Sequence, residues 1–409
     1  MITLLFAQVE TSKQFMHELN VVELAIDRPV RIGIIGGGQL GKMIAQEAKR
    51  MSLKVFILDP SDECPAASVC DGLVIADYKE ENAIRKLANM CDIITFEIEL
   101  ANSSTLRELY SKNYSVIPSP EILRTIQNKY RQKCFLKENN IEVPRFDFVK
   151  SETHLGDLSV KYGFPLMLKA CEDSYDGKGN FLISSKTEIN QAFKHFEKKD
   201  RMIEEFVPFT KEISVMVARN SDGHIEAFPV VENIHKKNIL EMSIAPARIT
   251  RSAESKAKAI AKKTVEMLRG VGIFGIEMFL LGDEKIVINE LAPRPHNSGH
   301  YSIEACSISQ FEQHIRAILN FPLGTPYLLS PAVMINVLGP EGVAGFYSIK
   351  GLTGLFSIPG LKLHVYGKKI SKPYRKLGHV TIVAETLEEA ISRAEIAKRT
   401  LKVEVRKTR

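Results

Sequence analysis

The sequence predicts an α/β fold that passes into α+β, opening with a doubly wound parallel sheet and closing with strand-rich units. Two observations predict it. Between Val30 and Phe96, short β-branched runs alternate with helical patterns, the order that lays helices over a parallel sheet. Beyond Asn128, short strands become frequent and long helices few.

The apolar run Val30 to Ile35 predicts the first strand. Gly36-Gly37-Gly38-Gln39-Leu40-Gly41 then predicts a tight turn into a helix ending at Met51. Lys54 to Leu58 predicts a strand closed by Asp59, Glu80 to Asn89 a helix, and Ile93 to Phe96 another strand. This unit, residues 30–128, follows a stretch, 1–29, expected to be an N-terminal extension or the product of an upstream start codon. Residues 129–205 read as a small α+β unit. It has a helix from Lys129 to Asn140, strands at Phe146 to Val149, Leu166 to Ala170 and Phe181 to Ser184, and a helix near Glu188 to Phe196. Met202 to Phe206 is expected to open a larger unit, 206–325. Its strands are Glu212 to Ala218, Ile225 to Val231, Phe274 to Leu280 and Ile286 to Ile288, and its helices Glu254 to Arg269 and Gln310 to Asn320. Strands at Val333 to Val337, Leu363 to Tyr366 and Val380 to Ala384, then a helix from Leu387 to Leu401, fill residues 326–409.

Composition narrows the function classes. A balance of 55 basic to 49 acidic residues gives +6, which suits small anionic substrates and does not call for nucleic acid. No apolar run approaches the ~18–20 residues of a membrane helix, so no membrane partner is expected. Six scattered cysteines without a C-x-x-C pair argue against structural zinc or a disulfide framework and fit a reducing cytoplasm. Ile2 to Ala7 is too short for a signal core, and Glu10, Glu18, Glu23 and Asp27 argue against a transit peptide.

Six segments carry chemistry. The glycine turn at 36–41, with Asp59 ending the next strand, reads as a dinucleotide fingerprint or as any anion site at a helix N-terminus. Lys169 at a strand end, followed by Ser174-Tyr175-Asp176-Gly177-Lys178-Gly179-Asn180, reads as a phosphate-covering loop or as a plain hairpin turn. Glu204-Glu205-Phe206-Val207, with Glu212 beyond, reads as a nucleoside-binding edge or as an edge strand only. Glu277 and Glu290 lie in strands flanking a turn at Lys285. If those strands pair, both carboxylates face one or two Mg²⁺ ions. The string Asn289-Glu290-Leu291-Ala292-Pro293-Arg294-Pro295-His296-Asn297-Ser298-Gly299-His300 sets a guanidinium and an imidazole in a proline-stiffened turn after a carboxylate, a corner suited to metal and oxyanion. The cations of Lys368 to Lys376 suit a phosphate monoester or a solvated loop.

Taken in order, these segments resemble the ATP-grasp superfamily and, within it, the N5-carboxyaminoimidazole ribonucleotide synthetases, over about residues 30 to 400. The resemblance rests on G-G-G-Q-L-G (36–41), Y-D-G-K-G-N (175–180), V-V-E-N-I-H (230–235), the 289–300 string and R-K-L-G-H (375–379). It implies an ATP-grasp architecture with an N-terminal Rossmann-like pre-ATP-grasp domain, a lid at 129–205 and a small C-terminal strand-rich subdomain. It implies a cytoplasmic ligase of purine biosynthesis, a homodimer, that uses ATP, Mg²⁺ and bicarbonate to carboxylate 5-aminoimidazole ribonucleotide through carboxyphosphate. Another ATP-grasp carboxylase or a formate-dependent phosphoribosylglycinamide transformylase is the near alternative. By position, the resemblance assigns ATP to Lys129, Lys169, Ser174 to Asn180, Glu204 to Val207, Glu212, His235, Asn289 and Glu290, and metal to Glu277 and Glu290. It assigns the ribotide to Gln39, Leu40, Glu97, Tyr175, Lys368, Arg375 and Lys376, and the carboxyl transfer to Arg294, His296 and Asp176. The chain departs from the family at Lys129, where Arg is more usual, and at Glu172-Asp173, where Gly or Thr is.

Overall fold

The computed structural model describes residues 26–172, 179–196 and 199–407. The N-terminal sheet has four parallel strands in the order Gly72–Ile75, Lys54–Asp59, Arg31–Ile35, Ile93–Phe96. The chain reverses its winding between the last two. Their carboxyl ends, Gly36 and Glu97, therefore flank the crevice where such sheets hold ligands.

A second sheet of four antiparallel strands is ordered Phe146–Val149, Arg201–Glu205, Leu166–Ala170, Asn180–Ile183. The strand at 201–205, expected to open the larger unit, belongs here. Its alternating residues Met202 and Ile203 are both buried, because sheet and helices cover its two faces.

The third sheet is the frame of the molecule, nine-stranded and antiparallel. Its path runs Ile286–Ala292, Gly272–Leu280, Lys211–Arg219, Val231–Lys236, Ile239–Ala245, Ala332–Leu338, Lys376–Val383, Leu361–Val365, with Ile225–Ala227 paired beside Lys211–Arg219. The expected strand at 225–231 is thus split in two, and Ile239–Ala245 and Gly72–Ile75 were not expected at all. The helix Arg251–Leu268 starts where Thr250 accepts the Ala253 amide, and it lays Ala253, Ala257, Ala261 and Val265 on the sheet. That four-residue spacing is one helix face. Phe274, fully buried beneath it, is worth roughly 3–5 kcal/mol against alanine. The helix Gln310–Ile318 packs Phe311, Ile315 and Ile318 against Ile44 and Ala48 of the helix Gln39–Arg50, which joins the first sheet to the third.

Candidate active site

The first glycine turn is filled by the protein itself. Gly36 adopts φ +102°, and a Cβ there would meet Glu97 Cγ at 2.6 Å. The Gly38 amide donates to Glu97 Oε1 at 2.7 Å, and the Gly37 amide to Asp59 Oδ2 at 2.8 Å. Asp59 is buried and also accepts from Tyr78 OH, so neither the turn nor the acid is open to a dinucleotide. Burial pushes the Glu97 carboxyl up to about 7, against the pull of the Gly38 amide and Arg294. Leu40 points into the core, which leaves a ligand only its backbone; Gln39, beside it, is half-buried.

The carboxylate pair is built by the hairpin of Gly272–Leu280 and Ile286–Ala292. Glu277 and Glu290 are direct register partners, beside a bulge between Glu277 and Met278. The strand runs through Asn289 and Glu290 rather than stopping at Ile288, so both acids are held by ladder bonds. Burial, then the neighbouring Glu290, pushes the Glu277 carboxyl up to about 7. Burial acts on Glu290 in the same sense, but Lys129 at 2.5 Å outweighs it and its carboxyl is lowered. Two opposed and partly exposed carboxylates form an all-oxygen donor set that fits a hard divalent cation.

Lys169 pairs with Glu204 at 2.6 Å and lies 3.4 Å from Asn289 Oδ1. The sequence places Glu204 on an open nucleoside edge, yet its side chain is buried between Lys169 and Lys133, the latter at 3.2 Å. Burial raises its carboxyl, and the two lysines override that and bring it to about 2. Lys133 was missed, although it stands four residues after Lys129 on the helix Lys129–Glu138 and so shares its face. It also donates to Ile288 O at 3.0 Å. Glu205 faces away, paired with Arg145, and Phe206 is exposed.

His235 meets Glu212 at 2.7 Å, and both stand in the electrostatic reach of Glu277. The turn 293–300 crosses the face of the large sheet. A Cβ on Gly275 would lie 2.7 Å from His296 Cβ, so only glycine there lets the turn sit so low. Gln310 accepts the His296 amide and donates back to His296 O, and the side-chain amides of Asn297 and Asn336 bond each other both ways. His296 Nε2 faces Glu277 Oε1 at 3.4 Å, and burial, then Arg294 and Lys376, holds its imidazole well below the usual range. Arg294 is paired with Glu99 at 2.8 Å, and its buried Nε has no partner among the described residues. Lys376 therefore lies near this corner. Lys368 donates to Lys376 O, while Arg375 donates to Ile370 O. Ser174, Tyr175, Asp176, Gly177 and Lys178 lie outside the described residues; Gly179 and Asn180 enter the strand Asn180–Ile183.

A second cluster, Glu304, His364 and His379, was not foreseen. The two imidazoles stack with planes 6° apart, and no single ion can lie in both ring planes.

Residues 30–127 match a ribonucleotide synthetase preATP-grasp domain, 134–311 an ATP-grasp domain, and 332–393 a phosphoribosylaminoimidazole carboxylase C-terminal domain. The N5-carboxyaminoimidazole ribonucleotide synthase of Bacillus subtilis is 41% identical over 88% of this chain and 93% of that protein. The phosphoribosylaminoimidazole carboxylase of Saccharomyces cerevisiae is 40% identical over 88% of this chain, which spans only 65% of that longer protein. Among solved structures, the N5-carboxyaminoimidazole ribonucleotide synthetase of Thermotoga maritima is 46% identical with a TM-score of 0.85, covering 92% of this chain and 100% of its own. The synthase of Aspergillus clavatus, in complex with ADP and 5-aminoimidazole ribonucleotide, is 34% identical with a TM-score of 0.84, covering 91% and 98%.

Proposed function

The chain belongs to the N5-carboxyaminoimidazole ribonucleotide synthetases of the ATP-grasp superfamily, and from that membership we infer an ATP-dependent ligase of purine biosynthesis. It carboxylates the exocyclic amine of 5-aminoimidazole ribonucleotide. The observation that carries this to the residues is one corner of the large sheet. There the Glu277–Glu290 pair, the lysines and the Arg294–His296 turn meet.

Lys129 and Lys169 neutralise the ATP phosphates, the backbone at Glu204 to Val207 takes the adenine, and Glu212 with His235 the ribose. Glu277 and Glu290, with Asn289 beside them, would hold Mg²⁺, which neutralises charge on the polyphosphate. A bicarbonate oxygen attacks the γ-phosphorus and ADP leaves, giving carboxyphosphate; the protein's part is alignment and charge. Arg294 holds carboxyphosphate through donors that Glu99 now occupies in part. Carboxyphosphate breaks to CO2 and phosphate, the amine attacks the carbon, and the N–C bond forms with loss of the amine proton. Asp176 and Tyr175 orient that amine. Glu97, with the amides of Gln39 and Leu40, and the cations Lys368, Arg375 and Lys376 hold the ribotide. The loop 174–180 closes over the phosphates and keeps water from carboxyphosphate. From the resemblance, and from six cysteines that are all free thiols, we place it as a cytoplasmic homodimer.

The test is ADP release with and without 5-aminoimidazole ribonucleotide and bicarbonate. Labelled bicarbonate entering the product supports the reading; labelled formate entering instead overturns it.

A further inference from the structure

His296 stands at the end of a buried hydrogen-bond chain that none of the roles above requires. Its Nδ1 lies 2.9 Å from Ser298 Oγ. Ser214 Oγ donates to Ser298 Oγ at 2.8 Å, Asn233 Nδ2 donates to Ser214 Oγ at 2.9 Å, and Ser243 Oγ donates to Asn233 Oδ1 at 2.9 Å. Ser214, Ser298 and Ser243 are at most 1% exposed, so these bonds are shielded from bulk solvent.

The direction of the chain is decided at its His296 end by a donor that cannot accept. The Ser298 backbone amide points at His296 Nδ1 from 3.4 Å, and an amide cannot accept. A hydrogen on Nδ1 would face that N–H head-on. Nδ1 therefore keeps its lone pair, Ser298 gives its hydroxyl hydrogen to it, and each earlier member donates one step onward. The ring hydrogen is left on Nε2, which faces Glu277 Oε1 and the corner where the anions gather.

We propose that Ser298 and Ser214 are positioning residues that hold His296 as the Nε2–H tautomer, so that it serves carboxyl transfer as a hydrogen-bond donor to an oxyanion and not as a base. An imidazole with hydrogen on Nε2 has no lone pair there to take a proton. The stated tautomer belongs to the free protein; its use in catalysis rests on the reading of the preceding subsection.

The experiment is ¹⁵N NMR of the histidine-labelled full chain, with kinetics in parallel. Wild type is expected to show a pyridine-type Nδ1 and a pyrrole-type Nε2 for His296, assigned by loss of the signals in His296→Gln. Ser298→Ala keeps the backbone amide but loses the shorter hydroxyl contact, so it is expected to admit a minor population with hydrogen on Nδ1 and to lower kcat roughly tenfold to a hundredfold, with KM for ATP unchanged. Ser214→Ala, which spares the direct contact, is expected to shift both readouts in the same direction by less, and it stands in if Ser298→Ala does not fold. A pyrrole-type Nδ1 in wild type, or a Ser298→Ala protein with unaltered tautomer and kcat, overturns the proposal. Failure of the functional reading is separate: wild type would release no ADP in response to the ribotide, while the NMR signals still decide the tautomer.

Discussion

Glu277 and Glu290 sit directly opposite one another across an antiparallel pair, and among the described residues only Glu290 has a lysine on it, Lys129 at 2.5 Å. Like charges placed so close destabilise a sheet unless a cation joins them. Burial first, and then that repulsion, makes Glu277 hold its proton to about 7.

Substituting Glu277→Gln is expected to lower kcat by about 10²–10³ through loss of charge at the phosphates. The same change removes the repulsion and leaves the metal-free protein no less stable. Steady-state kinetics across a Mg²⁺ series, alongside thermal melts without metal, checks both halves. A drop in melting temperature would contradict the charge argument.

Arg294→Ala is expected to leave ATP affinity unchanged and abolish carboxylation, because the guanidinium contacts Glu99 and no group of the Lys129–Glu290 pair. Calorimetric titration with ATP and assay of the carboxylated product separate the two. Equal loss of both would remove Arg294 from the transfer step.

Glu97 carries a sign-definite pH prediction. Its folded carboxyl titrates near 7, above its ordinary 4.5. Between those values the folded state binds a proton that the unfolded state has lost, so stability falls as pH rises through that window and is level above it. Glu97→Gln is expected to flatten this part of the profile. Denaturant unfolding at pH 5 and pH 8, wild type against variant, reads the difference.

Lys133 and Glu204 form a buried pair, 2% and 3% exposed at the side chain. Lys133→Met leaves Glu204 with one lysine and is expected to cost about 3–5 kcal/mol. Lys133→Met with Glu204→Gln together is expected to recover part of it. Guanidinium unfolding of the two proteins measures the coupling.

Gly275→Ala places a methyl against His296 Cβ and is expected to destabilise by about 1–3 kcal/mol. It also lifts the turn, so kcat falls while ATP affinity holds. Retained kcat would mean that the turn relaxes without harm.

The local features of this site are readable from sequence. The pairing of Glu277 with Glu290 follows from two apolar runs flanking the turn at Lys285, and the resemblance in the 289–300 string follows from residues adjacent in the chain. What escaped detection was tertiary. Lys133 reads as a solvated helix lysine until the strand Arg201–Glu205 brings Glu204 over it. Gly275 reads as a weak point in a strand until the turn arrives above it. Asp59 looks like a ribose acid until the Gly37 amide is seen to occupy it.

The reciprocal amide pair of Asn297 and Asn336 has a consequence for how the molecule is made. Asn336 lies on the strand Ala332–Leu338, inserted into the sheet between Ile239–Ala245 and Lys376–Val383, both amides are buried, and Asn336 also donates to Leu240 O. On the ribosome, residues 289–300 emerge well before their clamp, and the partners of Asn336 on the sheet's far side emerge later still. A nascent chain stopped before Asn336 leaves the Asn297 amide without its reciprocal partner, so the catalytic corner sets only after the strand Ala332–Leu338 has been made.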